Sequence, residues 1–235
     1  AAISTAQSKF GCSSVLFDGT NDYLSTPNTV SNFGTDDFTI ECWFYPLSLP
    51  ADALIADFGS QGAQGSLIPF YCSSSNVVYY ISSGGGTWNI ASGVSFGGTL
   101  RIGQWHHLAL VRNGNTYTPY FNGVAGTTTT NSAAINDAAV NKFIGSATTG
   151  TAAVNGYISD FRVVKGTAVY NAAFTPPTAP LTAITNTSLL TNFTNAGIFD
   201  NAADADYETV GNAQISTSVK KYGTGSMSFD GTNDY

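Results

Sequence analysis

The clearest periodic signal lies in DDFTIECWFYP, where Phe38, Ile40, Cys42 and Phe44 alternate with Thr39, Glu41, Trp43 and Tyr45. A period of two puts the first set on one face of a strand and the second on the other. Pro46 closes it. QWHHLALVRNGNTYTPYFNG predicts two strands around Asn113-Gly114 and a third entered through Asn122-Gly123, because Asn-Gly accepts the positive φ angles of a type I′ turn. ALIADFG, SLIPFY, NVVYYIS and NGYISDFRVV add short strands at the roughly 8–12-residue spacing of a sandwich or barrel. No stretch sustains a helical period, so the expected class is all-β.

A second pattern works at longer range. FDGTNDY, Phe17 to Tyr23, returns unchanged from Phe229 to Tyr235, and the ungapped match at an offset of 212 keeps 14 of 23 positions identical. Solenoid and propeller repeats recur every ~20–50 residues, so this offset is the length of a whole domain in a tandem array. AAFTPPTAPLTAITNTS, Ala172 to Ser188, carries Pro176, Pro177 and Pro180 and no periodicity, and reads as an inter-repeat linker. The expected layout is a domain over residues 1–180, a linker at 181–187, and opening strands of the next repeat at 188–235, among them SLLTNF and ADYETVG.

Composition narrows the partners. With 43% hydrophobic residues among 235, the chain buries a sizeable core. Only 10% of residues are charged, the net charge is −7, and the eight Lys and Arg are scattered, which leaves no basic patch for nucleic acid or an anionic membrane. The longest apolar runs, such as LALV, fall far short of the ~18 residues of a spanning helix. Cys12, Cys42 and Cys72 lack metal spacing and imply no disulfide framework, although one pair plus a free thiol stays open.

FDGTNDYL, DDFTIECWFYP, GQWHHLALVRNG and NGYISDFRVVKGTAVY followed by FTPPT together resemble the laminin G-like domain, a two-sheet antiparallel jelly-roll sandwich of the concanavalin A-like lectin and glucanase superfamily. The pattern looks most like tandem copies in structural and tail proteins of tailed bacteriophages. That resemblance implies a non-catalytic structural or adhesion module on a virion or extracellular surface, with host-surface glycans and other copies of itself as partners. A bacterial adhesin or carbohydrate-binding module would share the motifs, and a polysaccharide hydrolase is the distant alternative. Repeats of this family usually open with a segment like SLLTNFTNAGIFDNAADADYETV, which here follows the domain. A jelly roll lacking that strand exposes unpaired backbone. Residues 188–210 are therefore expected to fill the place, on their own domain or on a neighbouring subunit by strand exchange.

Candidate chemistry is sparse. Glucanases need paired carboxylates flanking the glycosidic bond, whereas the chain has only Glu41 and Glu208, and YISDFRV offers Asp160 alone. Adjacent His106 and His107 point to opposite faces of a strand and cannot share a metal; at least one is expected in the core. Asp18, Asn21 and Asp22 in DGTND offer oxygen ligands of the kind calcium takes, and laminin G-like rims often hold that ion; an Asp-Gly turn explains the same residues. SSGGGTW reads as a flexible hairpin loop without a phosphate cradle. Trp88 at its end, with Tyr79 and Tyr80 before it, offers aromatic faces for a sugar ring, against a reading in which alternate members pack between the sheets.

Overall fold

The computed structural model describes residues 1–193 apart from 12, 60–64, 85, 138 and 148–149, together with two short strands beyond. The strands are β1 (Ala2–Ser4), β2 (Ser14–Asp18), β3 (Leu24–Thr26), β4 (Phe38–Pro46), β5 (Ala53–Asp57) and β6 (Leu67–Ser73). After them come β7 (Asn76–Ile81), β8 (Ala91–Ser95), β9 (His106–Asn113), β10 (Thr116–Phe121), β11 (Val124–Ala125) and β12 (Thr129–Thr130). The series ends with β13 (Lys142–Ile144), β14 (Asn155–Lys165), β15 (Thr187–Thr191), β16 (Gln214–Ser216) and β17 (Ser226–Ser228). Apart from a 3-10 turn at Asn28–Ser31, the described elements are all strands.

Two antiparallel sheets face each other. The first runs β1-β2-β14-β4-β9-β10-β11, with β12 also on β10 and β15 also on β14; the second runs β3-β13-β5-β6-β7-β8. Phe38, Ile40, Cys42 and Phe44 point into the core, as their alternation predicts. Phe161 of β14 meets Phe70 of β6 at 6.4 Å and Phe58 at 6.3 Å between ring centroids, and such edge contacts lock the sheets in one register. Cys42 and Cys72 are buried free thiols, and burial pushes the Cys72 thiol up to about 12. Cys12 lies outside the described residues.

The turns depart from expectation at one place. Asn122 and Gly123 both have positive φ, 50° and 79°, as a type I′ turn requires. In the preceding hairpin Asn113 pairs with Thr116, so the two-residue turn is Gly114-Asn115, and of its two central residues Gly114 has positive φ. Glycine at the first central position is the mark of a type II′ turn.

β14 organises the first sheet. One edge pairs with β4 along its length; the other is shared, with β2 on Asn155–Ile158 and β15 on Phe161–Val164. Between the two, a bulge puts Asp160 at φ 50°, a conformation uncommon outside Gly, Asn and Asp. The shift lets β2 and β15 lie end to end, and Ser13 Oγ donates to the Phe193 carbonyl at 2.7 Å across the joint. Thr187–Thr191 of the tail thus pairs within its own chain, with Leu189, Leu190 and Phe193 buried. ADYETVG falls outside the described residues.

By contacts the chain divides into Ala1–Ala203 and Asp204–Tyr235. In the second unit the described residues form a separate hairpin of β16 and β17.

Candidate functional site

The outer face of the second sheet carries the aromatic candidates. Along β7, strand alternation sends Val77, Tyr79 and Ile81 into the core and Tyr80 outwards. Tyr79 is 0% exposed, donates its hydroxyl to Thr129 Oγ1 at 2.8 Å and meets Phe96 edge to face. It is a core residue and leaves the surface to its neighbours. Tyr80 and Trp88 pack together, centroids 5.4 Å apart with planes tilted by 55°. Tyr71 of β6 extends the row, edge-on to Tyr80 at 5.5 Å. Beneath lie buried Leu54, Ile68 and Ala147.

Tyr71 was not singled out from the sequence because its alignment beside Tyr80 depends on the irregular register between Ile68 and Tyr71. Burial first, then the Asp52 carboxylate that accepts its hydrogen bond, pushes the Tyr71 phenol up to about 12. The hydroxyl therefore remains a neutral donor at physiological pH. The loop holding Trp88 is pinned: Asn89 Oδ1 accepts from the Ser83 amide at 2.9 Å and Asn89 Nδ2 donates to Ser83 Oγ at 2.8 Å. Trp88 also borders Gly65, where a side chain would touch the indole. All three rings are half-buried, so each is fixed from behind and open in front.

Asp18, Asn21 and Asp22 form the tight turn after β2. Asp18 Oδ1 accepts from the Thr20 amide at 2.7 Å, and Asp22 Oδ2 accepts from the Asp18 amide at 3.1 Å, while Asn21 takes φ 59°. Each carboxylate thus gives one oxygen to the turn's own backbone, and Asp22 pairs its other with the Ala1 ammonium. Calcium takes six or more oxygens, and among the described residues no group of three or more His, Cys, Asp or Glu is placed to hold a metal.

The chain's other charged cluster is interior. On the outer face of the first sheet, Glu41 Oε1 accepts from Arg162 Nε at 2.9 Å, while Oε2 contacts His107 Nε2 at 3.1 Å and accepts from the Tyr170 hydroxyl at 2.7 Å. Glu41 and His107 are 0% exposed. Burial alone would raise the Glu41 carboxyl, but the hydrogen bond from His107 and the Arg162 charge hold it below the ordinary range. Asp160 is raised by burial, partly offset by hydrogen bonds from Ser159, the Leu181 amide and Asn192. Glu41 and Asp160 are committed to internal partners and present no open carboxylate pair. Glu208 lies outside the described residues. His106 is buried on its own terms, with Nε2 accepting from the Arg101 amide at 2.9 Å.

What seals this face is the proline-rich run expected to be a linker. Tyr170 and Phe174 stack at 3.6 Å and 4°, and Phe174 meets His107 and Tyr120 edge-on. The Phe174 amide donates to the Gly123 carbonyl at 2.9 Å. A Cβ on Gly123 would overlap the Phe174 carbonyl, so this glycine admits the strap as well as forming the turn. Leu181 is buried, and Arg162 Nη1 donates to the Thr182 carbonyl at 2.9 Å. Two further hollows of about 310 Å³ each, one between β3 and β15 and one at the strap's edge by Thr116 and Asn171, touch none of the predicted site residues.

A family model of laminin G domains, described as the concanavalin A-like lectin/glucanases superfamily, matches residues 18–175. The chain belongs to this superfamily. Domain 4 of AbnA, a GH43 extracellular arabinanase from Geobacillus stearothermophilus solved with arabinotriose, is similar at TM-score 0.54 and 19% identity, over 72% of this chain and 78% of that one. A putative carbohydrate-binding protein from Bacteroides ovatus reaches 0.57 at 16% identity over 76% of this chain, which spans about half (52%) of it. The binding domain of Paraclostridial Mosquitocidal Protein 1 reaches 0.55 at 13%, over 72% and 43%. At these identities the likeness is one of fold. Comparison with curated proteins finds no match.

Proposed function

We propose that this laminin G-like sandwich is a non-catalytic glycan-binding module of an extracellular or virion surface protein, and that it binds through Tyr71, Tyr80 and Trp88. The observation that carries this reading is the row of three half-buried rings laid over buried Leu54, Ile68 and Ala147. Sugars stack their apolar C–H faces on aromatic rings while hydroxyls pair with polar groups at the edge, the arrangement common to small-molecule sites. Asp52, beside Tyr71, supplies such an acceptor and disfavours anionic sugars, as does the net charge of −7. Planes tilted by 55° suit successive residues of a short, twisted neutral oligosaccharide better than a flat crystalline surface. The oligosaccharide-bound arabinanase domain and the putative carbohydrate-binding protein support the assignment of ligand class.

The domain-length repeat of FDGTNDY favours a repetitive protein, such as a phage tail, fibre or surface component or a bacterial adhesin, in which many weak sites act by avidity. A glycan array probed with the whole chain, followed by titration of the strongest neutral oligosaccharide against Trp88→Ala, tests the proposal. Binding that Trp88→Ala leaves unchanged would move the site elsewhere, and turnover of the bound glycan would contradict the non-catalytic assignment.

A further inference from the structure

The described strands of the two repeat copies pair alike. β1 pairs with β2 as Ala2↔Leu16, Ile3↔Val15 and Ser4↔Ser14. β16 pairs with β17 as Gln214↔Ser228, Ile215↔Met227 and Ser216↔Ser226. Subtracting 212 from the second set returns the first, pair for pair. In the first hairpin, β2 uses its other edge to pair with β14, as Asp18↔Asn155, Phe17↔Gly156, Leu16↔Tyr157 and Val15↔Ile158. The second hairpin is a two-stranded sheet by itself, and an isolated two-stranded hairpin is marginal in water.

The described residues therefore hold two hairpins of one register and an Asn155–Ile158 edge that pairs with the first of them. The positions that face the core stay apolar between copies, with Met227 where the first has Val15 and Phe229 where it has Phe17. Methionine fills a valine's place in a core by adjusting its rotamers. The order of pieces matches too. On β14, β15 is followed end to end by β2, joined through Ser13 and Phe193, and along the tail β15 is followed by the copy of that hairpin.

We infer that the Gln214–Ser228 hairpin is a donor to a second copy of this chain, where it pairs along Asn155–Ile158 in place of that copy's β1–β2. This is strand addition to a sheet edge. It joins different surfaces of the two chains, so the contact is head-to-tail and propagates from copy to copy. Because donor and occupant are so alike, exchange is close to neutral in free energy, and concentration or tethering of copies sets its extent.

Cysteine trapping in the full chain tests this, in a Cys12→Thr background that uses the residue found at the matching position 224. Opposed residues of an antiparallel pair are close enough for a disulfide. Tyr157→Cys and Ser228→Cys chains, mixed and mildly oxidised, should give a covalent dimer linking 157 to 228, with a yield that rises with concentration. A chain carrying both substitutions should give a ladder. Leu16→Cys with Tyr157→Cys, closed beforehand within one chain, should block the adduct and shows that the edge is intact in the Tyr157→Cys background. If that control closes but the mixture gives no more adduct than Tyr157→Cys with Ser226→Cys, or if the doubly substituted chain closes only on itself, the inference fails. Met227→Pro, which leaves β14 untouched, should abolish concentration-dependent association in sedimentation; association equal to the unsubstituted chain's, or none in that chain, also overturns it.

Discussion

The two outer faces of the sandwich carry similar materials to opposite ends. On the first sheet, Glu41, His107 and Arg162 sit under the stacked rings of Tyr170 and Phe174 and are almost wholly withdrawn from water. On the second, Tyr71, Tyr80 and Trp88 cover Leu54 and Ile68 but are themselves only half-buried. A single strap makes the difference. Where it lies across the sheet, aromatic side chains become interior and charged groups must satisfy one another; where no described segment crosses, the same residue types become a half-buried surface. Charged clusters are poor guides to function here, because the richest one is sealed, whereas incompletely covered aromatic rings mark the face left available.

Breaking the sealed face should cost most. Glu41→Ala leaves the Arg162 guanidinium and His107 buried without their shared carboxylate, and removing one partner of such a cluster costs about 3–5 kcal/mol. Equilibrium urea denaturation should show a large fall in midpoint, with glycan binding retained wherever the variant is still folded. Phe174→Ala comes next. It removes the ring stacked on Tyr170 and braced by His107 and Tyr120, and a half-buried phenylalanine is worth roughly 2 kcal/mol. Proteolysis within residues 166–182 should accelerate in that variant; unchanged cleavage would mean the strap is held by its prolines and backbone contacts alone.

How far these faces were legible beforehand depends on what kind of information each needs. The core side of β4 follows from alternation alone, since Phe38, Ile40, Cys42 and Phe44 repeat with the pleat. The burial of Glu41 does not follow, because it depends on a segment more than 120 residues away in sequence lying across it. That segment reads as a linker by its prolines, and its local clue is the pair Tyr170 and Phe174 just before them. Tyr80 and Tyr79 were separable in principle by alternation, which sends one out and the other in. Tyr71 was not, because a bulge sets its neighbour across the hairpin. The Asp18–Asp22 cluster is ambiguous in the opposite way: oxygen-rich composition suggests a cation and an Asp-Gly turn explains the same residues, while the geometry engages Asp18 and Asp22 with the turn's amides and the Ala1 ammonium.

The open face should respond in binding and hardly in stability. Trp88→Ala removes one half-buried ring, and loss of a stacking partner of this size costs about 1–2 kcal/mol of affinity, or roughly tenfold. Tyr80→Ala should weaken binding as well. Tyr79→Ala should do the reverse, lowering the denaturation midpoint through a core cavity while leaving affinity per folded molecule intact. Calorimetric titration of the three variants against one neutral oligosaccharide separates the two roles. Equal losses of affinity in Tyr79→Ala and Trp88→Ala would show that the row and the core strand behind it act as one unit.

The smallest effect concerns pH and rests on His106. Burial pulls the His106 imidazole below its ordinary range, the Arg101 charge adds to this, and the hydrogen bond to the Arg101 backbone offsets it in part. Its Nε2 accepts from the Arg101 amide, so the neutral form is the one the fold holds. In the unfolded chain His106 takes its proton near pH ~6.5, whereas the folded chain resists doing so until the pH is lower. Between those points the unfolded state binds more protons, so stability falls as the pH drops through about 6.5. Glu41, held low, loses its contribution only below the ordinary carboxylate range near ~4.3, and Asp160, held high, acts with opposite sign as protonation relieves its burial. Urea midpoints should therefore decline modestly from pH 7.5 to 5.5, and His106→Gln, which keeps an acceptor for the Arg101 amide, should flatten that decline. A slope unchanged in His106→Gln would show that His106 does not set the decline.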